Sequence, residues 1–331
     1  MMRQASRIYV AGHRGLVGSA LVRALRSRGC ADIITRTHDE LDLEDQQAVR
    51  AFFANERPTI VYLAAARVGG ILANDTFPAE FIQQNLAIQN NVIHEAWRGG
   101  VQRLLFLGSS CIYPRDCPQP MREAYVMTGP LEPTNRPYAM AKLAGLEMCW
   151  AYNRQYGTQF ICAMPTNLYG PGDNYDLQTS HVLPAMIRKF HESRVRGDRT
   201  VTLWGTGSPR REFLYSDDMA EACVQLLECA DDKLAMLLPE GQAPLVNIGC
   251  GEDATIRELA DLVREVVGSN AEILWDHSKP DGTPRKLLDI SRLRLMGWRP
   301  RIGLREGIGL AYAESSAARG SRAGWRGQGG V

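Results

Sequence analysis

A doubly wound parallel α/β sheet with a smaller, mainly C-terminal α/β lobe is the fold class this sequence predicts, on three observations. Short apolar runs alternate with longer amphipathic ones through the first two-thirds of the chain. A glycine-rich turn, Gly12-His13-Arg14-Gly15-Leu16-Val17-Gly18, separates the first apolar run from the first amphipathic one. After Asn167 the alternation gives way to short strands joined by polar connectors. Alternating strands and helices argue for parallel strands joined by right-handed crossovers, with helices on both faces.

The elements follow in order. Residues 7–11 read as a strand and 16–28 as its helix; 33–34 is a second short strand. A helix over 48–55 precedes a strand over 60–65, and helical spacing of Phe81, Leu86, Ile88, Val92 and Ile93 predicts a helix over 78–98. Residues 103–107 are almost continuously apolar, as a strand covered on both faces must be. A helix over 138–156 and a strand over 160–164 extend the sheet. Residues 169–174 are a loop by composition, and 201–204 and 272–275 are short strands. Thr255 caps a helix running to Val267, with Glu258 placed to close a capping box. Residues 315–331, rich in Gly, Ser, Ala and Arg, are expected to fray.

Composition narrows the function. The chain has 331 residues, 45% hydrophobic and 23% charged, a globular balance. Lys+Arg is 38 and Asp+Glu 37, so no globally basic surface exists and no nucleic-acid partner is expected. No apolar run approaches the roughly 18 residues of a membrane span, since Arg67 interrupts the best candidate, so no membrane partner is expected. The first residues carry no secretory pattern, and a cytoplasmic location is expected. The eight cysteines form no Cys-x-x-Cys pair and are expected to be reduced; the six histidines are scattered, and no metal site is expected.

The glycine turn predicts a phosphate cradle. Glycines allow close approach of the main chain to a pyrophosphate, and a helix amino terminus adds open N–H groups. NAD-selective sites carry an acid at the end of the second strand, where this chain has Arg36. Arg36 and Arg14 suit a 2′-phosphate, so NADP(H) is the expected cofactor. Asp42 and Leu43 are weaker candidates for adenine contact.

Tyr138 and Lys142 stand four apart and share a helix face. A nearby ammonium is expected to lower the phenol's pKa from about 10 and make it a usable proton donor or acceptor. The strand over 103–107 ends in Gly108-Ser109-Ser110-Cys111, and open parallel sheets bind ligands beyond such ends. Ser109 and Ser110 hydroxyls could there hydrogen-bond a carbonyl oxygen. A thiol near 8.5 and an imidazole near 6.5 bracket neutral pH, which suits Cys111 and His181 to acid–base work. Which takes the proton the residues alone leave open.

Together these features resemble the extended short-chain dehydrogenase/reductase family, which acts largely on nucleotide sugars. The likeness runs from about Arg7 to Gly309, through Met164-Pro165-Thr166-Asn167-Leu168-Tyr169-Gly170-Pro171, Ser180-His181-Val182, Arg211-Glu212-Phe213-Leu214 and residues 279–286. It is most specific for the branch acting on GDP-4-keto-6-deoxymannose. What the resemblance implies is a two-step, NADPH-dependent conversion of that substrate to GDP-L-fucose. Carbons 3 and 5 epimerise first, with Cys111 as base and His181 as acid. Carbon 4 is then reduced, with Ser109, Tyr138 and Lys142 handling the ketone. Leu107, Gly108, Lys142, Pro165, Asn167, Leu168 and His181 are implied near the cofactor beside the glycine turn. Ser109, Ser110, Lys189, Trp204, Arg211, Lys279 and Asp281 are implied around the GDP-sugar. The helices over 78–98 and 138–156 match those by which the family dimerises.

The implied division is a Rossmann-type NADP-binding unit over 7–168 plus about 212–249, and a GDP-sugar lobe over about 169–211 plus 250–314. Two departures stand out: Lys189 where some relatives have Arg, and a Gly/Ser/Arg-rich tail in place of the final helix. Rival readings are a dehydratase or 4-epimerase of the same fold, and a non-catalytic NADP-binding regulator. No acid follows Ser109 until Asp116, as a dehydratase would need, and a regulator would typically lack the Tyr/Lys pair.

Overall fold

The computed structural model describes residues 6–238, 241–279 and 281–320. The chain opens as β1 (Ile8–Ala11), α1 (Leu16–Ser27), β2 (Ile33–Ile34), α2 (Gln46–Glu56), β3 (Ile60–Leu63), α3 (Ile71–Thr76), α4 (Pro78–Arg98), β4 (Arg103–Leu107), α5 (Arg136–Tyr156) and β5 (Gln159–Pro165). There follow β6 (Asn167–Tyr169), α6 (Val182–Arg196), β7 (Thr200–Trp204), β8 (Arg210–Arg211), β9 (Phe213–Tyr215), α7 (Ser216–Glu228), α8 (Asp231–Leu237) and β10 (Leu245–Ile248). The last are β11 (Ala254–Thr255), α9 (Ile256–Val267), β12 (Glu272–Asp276), β13 (Arg285–Lys286), α10 (Ser291–Leu295) and α11 (Leu304–Gly320).

Six strands form one parallel sheet in the order β10-β5-β4-β3-β1-β2. The chain steps from β1 to β2 on one side and from β3 outward on the other, so the switch point lies between β1 and β3. Crevices at such points, beyond the strand ends, are where open sheets bind ligands. Alternate residues feed opposite faces. Leu104 and Phe106 pack with Val92, Ile93 and Leu146 on one side; Leu105 and Leu107 pack with Leu21, Met219 and Cys223 on the other. That two-sided burial is why β4 reads as unbroken apolar sequence. A third cluster joins Leu183, Ile187 and Phe190 of α6 to Leu259 and Val263 of α9 and to Val201 and Leu203 of β7.

Boundaries differ from the expected ones for local reasons. The second helix begins at Gln46 because Asp45 accepts from the Gln47 and Ala48 amides. The fifth begins at Arg136, with a proline in its first positions. Tyr169 belongs to a strand rather than a loop, because Asn167–Tyr169 pairs in parallel with Phe213–Tyr215. The first residues of the tail belong to a helix, since α11 continues through Ser315 to Gly320. Ser315 is buried, and the Ser315 and Ser316 hydroxyls donate back to the Tyr312 carbonyl. A final helix is therefore present, and 321–331 lie outside the described residues. No helix among the described residues is long and apolar enough to cross a membrane.

Candidate active site

β1 delivers the chain into the glycine turn at the switch point. Gly12 takes φ +82°, and a Cβ there would stand 2.7 Å from the Ala65 nitrogen. A Cβ on Gly18 would lie 2.0 Å from the Gly12 carbonyl oxygen. The Gly15 amide donates to that same oxygen at 3.0 Å, closing the turn. Gly15 caps α1 without any side chain covering the first-turn amides of Leu16, Val17 and Gly18. His13 Nδ1 is buried with no partner among the described residues, and burial, then Arg14, hold this imidazole below its ordinary value. An uncapped helix start, a turn that excludes side chains and an orphaned buried nitrogen fit the pyrophosphate of a dinucleotide.

The flanking groups are less uniform. Arg14 is exposed. Arg36 lies over the Phe52 ring at 5.7 Å, donates to the Thr35 carbonyl at 2.8 Å and pairs with Glu56. Asp42 is exposed and accepts from the Glu44 amide. The Leu43 side chain is core, and its carbonyl accepts from Asn91 Nδ2 at 2.9 Å.

A second group gathers beyond the end of β4. Ser109 caps a short 3₁₀ turn, Ser110–Ile112, and its hydroxyl oxygen accepts from the Cys111 amide at 3.3 Å. The turn thereby holds the thiol beside the strand end. Gly108 donates to the Ala163 carbonyl, and a Cβ on it would strike the Met164 side chain at 2.3 Å. Lys142, 3% exposed, donates to the Leu107 carbonyl at 2.9 Å and lies 4.8 Å from the Phe106 ring centre. Burial pushes its ammonium down to about 7. Its nitrogen is 5.8 Å from the centre of the Tyr138 ring.

The expected lowering of the Tyr138 pKa is corrected. Burial raises it, the neighbouring Cys111 adds to the rise, and only the hydrogen bond with Ser109 opposes them. An ammonium that is itself desolvated cannot offset the loss of water around the phenol. Tyr138 is therefore a protonated phenol, a donor rather than a phenolate.

His181 caps α6. It is solvent-exposed by area, yet enough protein surrounds it that desolvation lowers its pKa. The residues just before it pack on the loop after β3: Gly70 donates to the Thr179 carbonyl at 3.3 Å, a Cβ on Gly69 would touch Phe81, and Phe81 meets Tyr138 edge-on at 6.2 Å.

β6 and β9 frame the far side. Asn167 Nδ2 donates to the Glu212 carbonyl at 2.8 Å, Pro165 pairs with Ile248, and Leu168 packs partly buried. The loop after β6 returns to the cradle, where a Cβ on Gly172 would lie 3.8 Å from Ser19 Oγ.

The anticipated sugar-nucleotide residues form a third group. Trp204 is 59% exposed, with Lys279 Nζ 5.4 Å above its ring. Asp281 accepts from the Thr206 amide and hydroxyl at 3.0 and 2.7 Å, and these bonds hold its carboxyl below the ordinary range. Burial lowers the Arg211 guanidinium pKa, opposed by Asp281, and a Cβ on Gly282 would stand 2.9 Å from Arg211 Nη2. Lys189 donates to the Thr202 carbonyl at 2.9 Å and is likewise lowered by burial. Thr202 and Trp204 alternate with buried Val201 and Leu203, so the indole stands on the exposed face of β7.

Sequence reasoning passed over two residues here. Asn135 Nδ2 donates to Cys111 Sγ at 3.1 Å. Glu212 is fully buried, accepts from the Gly251 and Leu288 amides at 2.6 and 3.0 Å, and is raised by burial. Both residues lie in stretches that resemble the family, residues 131–135 and 211–214, with no role attached to either.

The model of the NAD dependent epimerase/dehydratase family matches residues 8–243. "GDP-L-fucose synthase 1" of Arabidopsis thaliana is 54% identical over 312 residues, covering 94% of each chain. "GDP-L-fucose synthase" of Escherichia coli (strain K12) is 52% identical, covering 92% of this chain and 95% of its own. Among solved structures, MlghC, a GDP-mannoheptose C4 reductase from Campylobacter jejuni with NADP bound, superposes with a TM-score of 0.86 at 39% identity, covering 96% of this chain and 100% of its own.

Proposed function

The chain belongs to the NAD dependent epimerase/dehydratase family, and from that premise we propose that it converts GDP-4-keto-6-deoxy-D-mannose to GDP-L-fucose, by epimerisation at carbons 3 and 5 followed by reduction at carbon 4. It is an NADP-dependent enzyme. The observation that carries the proposal is the thiol of Cys111 inside the Ser109–Tyr138–Lys142 group, since simple ketone reduction needs no such base.

The residues divide the work by proton. The substrate ketone acidifies the hydrogens on carbons 3 and 5, and Cys111 is the group that removes them. His181 returns a proton on the opposite face. Ser109 and Tyr138 hydroxyls hold the ketone oxygen, and Tyr138, kept protonated by burial, supplies its proton on reduction. Lys142 anchors the start of its helix to the β4 carbonyl and orients the phenol. The glycine turn, the α1 amides and His13 would hold the pyrophosphate, with Arg14 and Arg36 toward the 2′-phosphate. A bound NADPH supplies one hydride equivalent for carbon 4. Lys189 and Arg211 would neutralise the GDP diphosphate beside Trp204, Lys279 and Asp281.

The same reading assigns cofactor binding to 7–168 plus about 212–249 and sugar-nucleotide binding to about 169–211 plus 250–314. It includes a homodimer through α4 and α5, supported by exposed Met140 and Tyr156, the latter stacked on Trp97 at 4.3 Å. It also includes action in the cytoplasm, which free thiols at all eight cysteines suit.

Deuterium uptake from heavy water tests the proposal. Wild type should carry label at carbons 3 and 5 of product, and Cys111→Ser and His181→Asn should lose it sharply. Tyr138→Phe should keep label exchange but lose reduction by about 10²–10⁴-fold. Reduction without any label in the wild type would leave a 4-ketone reductase alone and sink the epimerase step.

A further inference from the structure

An asparagine at a helix N-cap ordinarily turns its side chain back onto the first amides of its own helix. Asn135 holds that position before α5, at φ −129° and ψ 16°, and makes no such bond. A proline among the first helical residues removes one amide that a cap would otherwise serve. The Asn135 amide nitrogen instead reaches Cys111 Sγ at 3.1 Å across 24 residues of chain. Its Oδ1 is buried without a partner among the described residues, so capping has not been exchanged for a second local bond. The backbone fixes the side chain's origin: the turn Pro133–Asn135 packs on α3, and the Asn135 amide donates to the Glu132 carbonyl at 3.3 Å.

We infer that Asn135 is a positioning residue for Cys111, its side-chain nitrogen donating to the sulfur and fixing where the sulfur points. The inference rests on the reading of Cys111 as the epimerisation base. The bond leaves the sulfur an acceptor, as a base awaiting a proton must be.

The test is alkylation of Cys111 by iodoacetamide in the cofactor-loaded enzyme without substrate, followed on the isolated peptide across neutral pH. Asn135→Ala should slow alkylation at neutral pH roughly two- to tenfold, the worth of one hydrogen bond. Asn135→Asp, equal in size and itself a good helix cap, should slow it further by putting a negative charge beside the sulfur. Deuterium exchange should fall in the same order through kcat, with KM little changed. A purely structural Asn135 would uncover the sulfur when truncated, so equal or faster alkylation in Asn135→Ala overturns the inference. Should that variant not fold, Asn135→Asp decides it: a rate equal to wild type or above overturns it. Full label exchange in Cys111→Ser would sink the epimerase reading separately, and the alkylation series would still report on the hydrogen bond.

Discussion

At the scale of single residues, burial outweighs neighbouring charge in setting protonation. Lys142 shows it most directly, because its ammonium is held near 7 while an unfolded lysine titrates near 10.4. Between those values the unfolded chain binds a proton that the folded chain has released, so stability rises with pH across that window. Below about pH 7 the destabilisation is fully present. Melting curves of wild type and Lys142→Met should therefore differ most in the variant's favour at and below neutral pH, with the gap closing toward pH ~10. A constant gap would contradict it. Gly18→Ala makes a simpler case. The added methyl would collide with the Gly12 carbonyl, and backbone must move. Cofactor binding should be lost, and the variant should melt several degrees lower even without nucleotide. Part of the site was legible beforehand: the glycine turn and Tyr138 with Lys142 stood out by spacing and Ser109 by its place at a strand end, whereas Cys111 came from the family resemblance. The protonation of Tyr138 was not, since spacing counts a nearby cation and is blind to water removed by folding. Asn135 was hidden for a related reason, since its partner is 24 residues away.

At the scale of elements, local signals placed the long pieces well. The helix over Pro78–Arg98 and the strand over Arg103–Leu107 fall where apolar spacing puts them. So does the start of α9, where Thr255 Oγ1 accepts from the Glu258 amide at 3.0 Å and Glu258 answers to the Thr255 amide at 2.8 Å. Thr255→Ala should cost about 1 kcal/mol and lower the melting temperature by roughly 1–2 °C, leaving turnover unchanged. A loss of activity without a loss of stability would mean that α9 does more than pack. What escaped notice were pieces whose identity depends on a distant partner. The strand Asn167–Tyr169 exists because Phe213–Tyr215 lies beside it, and Arg210–Arg211 because Ala254–Thr255 and Arg285–Lys286 flank it. Two or three residues carry too little periodicity to announce themselves.

At the scale of the whole molecule, strand alternation predicted the parallel sheet but not which late segment would finish it. β10 pairs Leu245–Ile248 with Cys162–Pro165, some eighty residues earlier in the chain. That pairing has a consequence for biosynthesis. A ribosome releases β5 well before β10, and until the later strand emerges one flank of β5 offers unsatisfied amides and carbonyls between two greasy surfaces. Nascent chains stalled ahead of Leu245 should consequently recruit chaperones or precipitate, whereas those stalled once Ile248 has cleared the exit tunnel should acquire protease resistance. Equal protease resistance at both stall points would show that the unfinished sheet already stands unaided.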